Sequence, residues 1–257
     1  MRSMAQTPSR SLTRRSLLTL IILLLSAVVG FGVLSERRWL WWITEACTLD
    51  ALVIHLPFPC TEVDPGQHVA ILRASRFHYL LMPTVPLSGI ESDKLLGGST
   101  QNYFGLAWSR AQALLDADGR GVAPSIVGLA VNSPQARTQD QLHIHIGCLS
   151  NVALKDLSRV QNETNTTWSA RYVIAGGGRY KVMRIYGTGL DAADPVKLAS
   201  EGLFGGGTLQ SQTVVVAGAT FTNGRQGFYV LIGDSRPDNP ASGEDLLDYS
   251  CTALRTR

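Results

Sequence analysis

The sequence predicts an α+β protein, an antiparallel sheet with flanking helices, preceded by one N-terminal transmembrane helix. Three observations lead there. A charge-free apolar run fills 17–34, short alternating apolar segments recur between 68 and 233 with turn residues between them, and an apolar stripe of helical period runs from Tyr103 to Asp116. A strand–helix–strand–strand order recurs loosely in the two halves, without a sequence repeat that would prove duplication.

The run Leu17–Leu34 reads LLTLIILLLSAVVGFGVL. At about 1.5 Å per residue it spans roughly 27 Å, close to the hydrocarbon thickness of a bilayer. Arg2, Arg10, Arg14 and Arg15 precede it without an acid, which keeps the N-terminus in the cytoplasm, and Trp39, Trp41 and Trp42 follow it where indoles favour the headgroup layer. A cleaved signal peptide, with Gly30 and Gly32 as small residues, and a twin-arginine signal at Thr13–Leu18 are the rivals. The core is greasier than a twin-arginine signal needs, so the uncleaved anchor is preferred. All three readings export the rest of the chain, and the anchor places it on the far side of the inner (cytoplasmic) membrane.

The net charge of +3 must be split before it is interpreted. Residues 1–38 carry six arginines against one glutamate, and the remainder carries seventeen Lys+Arg against nineteen Asp+Glu. The exported part is mildly acidic, which excludes a basicity argument for nucleic-acid binding. With 17% charged and 45% hydrophobic residues, disorder is excluded as well.

Cys47, Cys60, Cys148 and Cys251 form an even set outside the apolar run, which suits disulfides in an oxidising compartment. None forms a CxxC. Three connectivities exist and spacing does not choose among them; the favoured pairing is Cys47–Cys60 with Cys148–Cys251, which ties the tail to a central strand.

The expected organisation is a cytoplasmic tail at 1–16, the anchor at 17–34, a juxtamembrane segment and loop at 35–66, and one folded domain at 67–257, its second half starting near 165. Pro57, Pro59 and Pro65 make 43–66 a lead-in loop. Two strands follow, at His68–Leu72 and Phe77–Met82, before the helix over Tyr103–Asp116 that Gly119 and Gly121 end. Ile126–Val131 and Leu142–Leu149 read as strands joined by a polar loop at 132–141, with a short helix after them capped by Ser150 or Asn151. Farther on come a strand at Lys181–Tyr186, a helix near Pro195–Gly202, and a hairpin of Thr213–Phe221 and Phe228–Gly233 around Asn223-Gly224. The sequons at Asn162 and Asn165 carry no meaning unless the cell glycosylates.

Chemistry is concentrated at His143 and His145. In a strand both rings face one side, about 6.6 Å apart along it, with Ile144 and Ile146 on the other. A metal site would use both and need further ligands, for which His55, His68 and His78 are candidates without telling spacing. A solvated strand face would use neither. A nucleophilic imidazole with a supporting partner would act on phosphorus. Spacing alone does not decide.

The segment Asn132–Ile146, NSPQARTQDQLHIHI, resembles the histidine-triad (HIT) superfamily of nucleotide hydrolases and transferases, in which a polar loop opening on Asn runs into a strand bearing His-φ-His-φ-His, φ being apolar. Leu129–Cys148, Tyr79–Thr84, Gly89–Ser92 and Leu106–Trp108 are similar to a membrane-bound HIT-like family, the CDP-diacylglycerol pyrophosphatases, as are the four cysteines and the anchor. The likeness is strong over about 43–150 and thin beyond. It implies a HIT-like sheet, with room for two such halves, and hydrolysis of CDP-diacylglycerol in the membrane to phosphatidate and CMP, without a metal or other cofactor. His143 takes the place of the nucleophile and His145 of its support. Asn132, Arg137, Thr138, Gln139 and Gln141 are the implied phosphate or nucleotide contacts, Gln141 standing where the family has the first triad histidine. A HIT-like enzyme of soluble nucleotides and a non-catalytic, metal-binding exported module are the alternatives. No reading fixes the oligomeric state.

Overall fold

The computed structural model describes residues 37–254 apart from 98–99, 117–118, 120 and 204–206. The apolar run at 17–34 lies outside these residues. Among the described residues no helix is long and apolar enough to cross a membrane.

The first element corrects an expectation. Residues 43–53 belong to helix α1 (Trp39–Val53), not to a loop. The prolines that argued for a loop all lie beyond it, and Trp39–Val53 contains neither Pro nor Gly. Leu40, Thr44 and Cys47, spaced four and three apart, form its buried face. They pack with Ala70, Leu80 and Met82, and the Cys47–Cys60 disulfide holds the helix to the following chain. The opposite face leaves Trp39, Trp42, Leu49, Leu52 and Val53 exposed.

The sheet is built from β1 (Glu62–Asp64), β2 (Val69–Ser75), β3 (His78–Pro83), β4 (Val127–Val131), β5 (Ile144–Leu149), β6 (Val173–Ala175), β7 (Gly178–Tyr186), β8 (Gln212–Thr220), β9 (Gln226–Asp234) and β10 (Leu247–Asp248). Its order is β1-β2-β3-β5-β4-β8-β9-β7-β6, with β10 added to β5, and every pairing is antiparallel. The helices are α2 (Tyr103–Leu115), α3 (Asn151–Val160) and α4 (Pro195–Glu201). Asn102 caps α2 by accepting from Gly105 N at 2.9 Å, and Ser150 caps α3 by accepting from Ala153 N at 3.1 Å.

The loose recurrence is a repeat of topology. β2–β3–α2–β4–β5 and β6–β7–α4–β8–β9 follow one connection scheme, their strands lie in mirrored order, and the halves meet where β4 pairs with β8. Both intervening helices cover one face of the sheet, where Phe104, Trp108 and Ala111 of α2 and Val196 and Ala199 of α4 join Leu129, Ile144, Ile146, Val214 and Phe228 in the main core. On the other face each half is covered by chain that follows its neighbour in the scheme. Helix α3, leaving the first half, packs Ala153 and Leu157 against Tyr180, Val182 and Tyr229 of the second. The tail, leaving the second half, adds β10 to β5 of the first and is fixed there by Cys148–Cys251, with Cα atoms 5.2 Å apart.

Candidate active site

His143 precedes β5 and His145 lies within it. They share a face, as alternation requires, with ring centroids 4.9 Å apart. That face is not open to solvent: His143 is 8% exposed and His145 6%. The cover is the C-terminal segment, which has no histidine motif and whose one sequence signal is Cys251, the partner of Cys148.

Nδ1 of His143 lies 2.6 Å from the backbone carbonyl of Gln141. A carbonyl only accepts, so Nδ1 carries the proton and Nε2 keeps its lone pair. Burial lowers the pKa of His143; the Gln141 carbonyl opposes this, and the Arg137 charge adds to it. The neutral ring is the favoured form.

His145 sits in a denser network. Its Nδ1 is 3.0 Å from His78 Nε2, 3.0 Å from Glu244 Oε2 and 3.2 Å from the Tyr249 hydroxyl. The Tyr249 hydroxyl donates to the same Glu244 oxygen at 3.1 Å, and the Tyr249 ring stacks on His78 with centroids 3.6 Å apart. His145 Nε2 is buried without a hydrogen-bond partner. Burial, followed by the neighbouring His143 and His78, drives the pKa of His145 well down. Burial and then His143 take His78 down to about 4. The Tyr249 hydroxyl is pushed up by burial and by the Glu244 charge.

Two of the three histidines named as spare ligands lie elsewhere: His55 and His68 are exposed, at positive φ of 57° and 51°. His78, His145 and Glu244 are the metal-capable trio among the described residues, their nearest ligand atoms within 4.8 Å of one another.

The 132–141 loop is held from several sides. Asn132 is buried, and its Oδ1 accepts from Glu244 N at 3.1 Å and from the Ser242 hydroxyl at 3.4 Å, which positions the segment carrying Glu244. The Ser133 hydroxyl donates to the Pro240 carbonyl. Arg137 forks onto Glu91 at 2.7 and 2.9 Å, and both side chains are largely buried. Burial works against the Glu91 charge, but the Arg137 fork with backbone and Ser88 bonds outweighs it and holds the carboxyl below its ordinary range. Thr138 is exposed. Gln139 Oε1 accepts from Leu40 N at 2.9 Å, and Asp140 pairs with Arg37 at 2.6 Å, so the start of α1 is latched to this loop. Gln141 is buried and donates to the Pro83 and Val85 carbonyls at 2.8 and 3.1 Å. The Gln141 side chain thus braces the end of β3, while its backbone, which any residue supplies, holds His143.

An imidazole of fixed tautomer beside a second, carboxylate-linked imidazole is an arrangement that suits nucleophilic displacement at phosphorus. Residues 35–255 match the family model described as CDP-diacylglycerol pyrophosphatase. The chain is 33% identical over 258 aligned residues to the CDP-diacylglycerol pyrophosphatase of Yersinia pestis, which covers 96% of this chain and 97% of that protein.

Proposed function

The chain belongs to the CDP-diacylglycerol pyrophosphatase family, and from that premise we propose a membrane-tethered hydrolase that works through a covalent CMP–histidine intermediate. The observation that carries the mechanism is the 2.6 Å bond from His143 Nδ1 to the Gln141 carbonyl, which leaves Nε2 as the free nucleophile. Nε2 attacks the cytidylyl phosphorus. A P–N bond forms, the bridging P–O bond breaks, and phosphatidate departs with the electron pair. The positive charge left on the ring is met by the Gln141 carbonyl through the Nδ1 proton. Water then attacks the same phosphorus, the P–N electrons return to Nε2, and CMP leaves. Dividing the displacement gives two smaller barriers in place of one.

Phosphate oxygens need donors as charge gathers on them. Thr138, exposed on the loop, and Asn132 take that role in this reading. Arg137, Gln139 and Gln141 form the frame that holds the loop, and Asn132 belongs to both sets, its Oδ1 held by Glu244 N and its amide nitrogen left to donate.

Tethering rests on the apolar run at 17–34 with its preceding arginines, which gives a cytoplasmic N-terminus and a catalytic domain beyond the inner membrane. The exposed apolar face of α1, which begins five residues after that run, supports it.

The test uses full-length protein in detergent with CDP-diacylglycerol labelled in the cytidylyl phosphate. Acid-labile label on His143, and loss of both label and hydrolysis in His143→Ala, are expected. Label on His145, or turnover without any adduct, overturns the mechanism. Faster hydrolysis of CDP-choline than of the lipid overturns the substrate.

A further inference from the structure

His145 Nε2 is an unexplained atom: a buried ring nitrogen with no partner, on the ring beside the nucleophile. The opposite nitrogen explains it. The Glu244 carboxylate accepts only, which assigns the single proton of a neutral His145 to Nδ1, 3.0 Å away, with His78 Nε2 at the same distance as a second acceptor. Nε2 therefore keeps a lone pair. Such a nitrogen cannot donate to a phosphate oxygen, but it can take a proton from water. The orphaned atom is a base without its substrate.

We propose that His145 is the general base of the second step, and that Glu244, held by Tyr249, is the residue that positions it. This rests on the covalent reading given above and specifies how the adduct is resolved. Water attacks the phosphorus of CMP–His143; His145 Nε2 takes the water proton as the P–O bond forms and the P–N bond breaks. The Nδ1 proton remains with Glu244, which stabilises the imidazolium, and the extra proton later passes to solvent. The arrangement is that of a carboxylate-oriented imidazole base. Its parts come from distant places: His145 from β5, and Glu244 and Tyr249 from the tail, whose position is set by Asn132 through Glu244 N. The depressed basicity that burial gives His145 agrees, since the ring stays neutral and receptive between turnovers.

Quench-flow of the full-length protein separates the two steps, because phosphatidate leaves in the first and CMP in the second. In Glu244→Gln the phosphatidate burst should persist within about threefold of the parent, while steady-state CMP release falls about 100-fold or more, as loss of the carboxylate that fixes the base's tautomer predicts. Labelled CMP–His143 should accumulate, and Glu244→Asp should recover part of the lost rate. Tyr249→Phe keeps the ring against His78 and removes only the hydroxyl, so it should slow CMP release alone, by about threefold to tenfold. It serves as the second variant if Glu244→Gln does not fold. Equal loss of burst and steady state in these variants overturns the proposal. So does loss of activity on chelation that zinc restores, because His78, His145 and Glu244 would then be ligands. Absence of any adduct in the parent, with His143→Ala still active, is instead the failure of the covalent reading itself.

Discussion

Gly128 and Gly147 lie opposite one another across β4 and β5, and their missing side chains admit the tail to the histidine face. A Cβ on Gly147 would stand 3.1 Å from the Tyr249 ring, and one on Gly128 would stand 2.5 Å from Leu247. The tail therefore packs against bare backbone, close enough for Glu244 and Tyr249 to reach His145.

Gly147→Ala should accordingly disturb Tyr249, which is already stacked on His78. Overpacking of this kind costs about 1–3 kcal/mol. Denaturant titration should show that loss together with a slower turnover; unchanged kinetics would mean that the ring moves without consequence.

The acid limb of kcat/KM reports the free enzyme, and the proposed mechanism requires His143 to be unprotonated. Because burial lowers its pKa from the ordinary 6.5, the reactive form persists below that pH. The activity should fall with acid only under pH 6.5. A limb centred at or above 6.5 contradicts the buried, neutral ring.

Arg137 offers a stability test. Arg137→Ala strands the Glu91 carboxylate in a buried site, and breaking such a pair costs about 3–5 kcal/mol. The exposed Arg37–Asp140 pair should contribute about 0–1 kcal/mol by comparison. Urea midpoints of Arg137→Ala and Arg37→Ala measure both, and equal losses would contradict this ranking.

Cys148 and Cys251 are 103 residues apart, so their disulfide closes a long loop. Replacing both with alanine should cost about 2–5 kcal/mol. Turnover should fall too, since Tyr249 lies two residues from Cys251. A thermal melt and an assay under reducing conditions check this, and full activity after reduction would refute it.

Leu49→Glu with Leu52→Glu places charge on the exposed face of α1, away from the histidines. Hydrolysis of CDP-diacylglycerol in vesicles should drop severalfold, and hydrolysis of a short-chain, water-soluble analogue should not. Equal effects on both substrates would contradict contact between this face and lipid.

Much of this was legible in the sequence. Alternation located β4 and β5, helical period located α2, and the turn at Asn223-Gly224 located the hairpin of β8 and β9, because each signal is local. The two disulfides of the favoured pairing are present. Helix α1 was hidden behind the prolines that follow it. His78 lacked telling spacing because its link to His145 runs across strands, β3 to β5. Glu244 and Tyr249 were invisible for a stronger reason. They lie about 100 residues from His145, in a polar tail, and join it only through sheet topology and the space left by Gly128 and Gly147.

The crossing of the two halves gives the molecule a timetable. Synthesis delivers His143 and His145 well before the tail, and the histidine strand stays uncovered until that tail arrives. Only when Cys251 reaches Cys148 are Glu244 and Tyr249 secured beside it. A histidine site completed by the last segment of the chain thus stays incomplete until the whole chain has been made. The chain's own C-terminus is the finishing step.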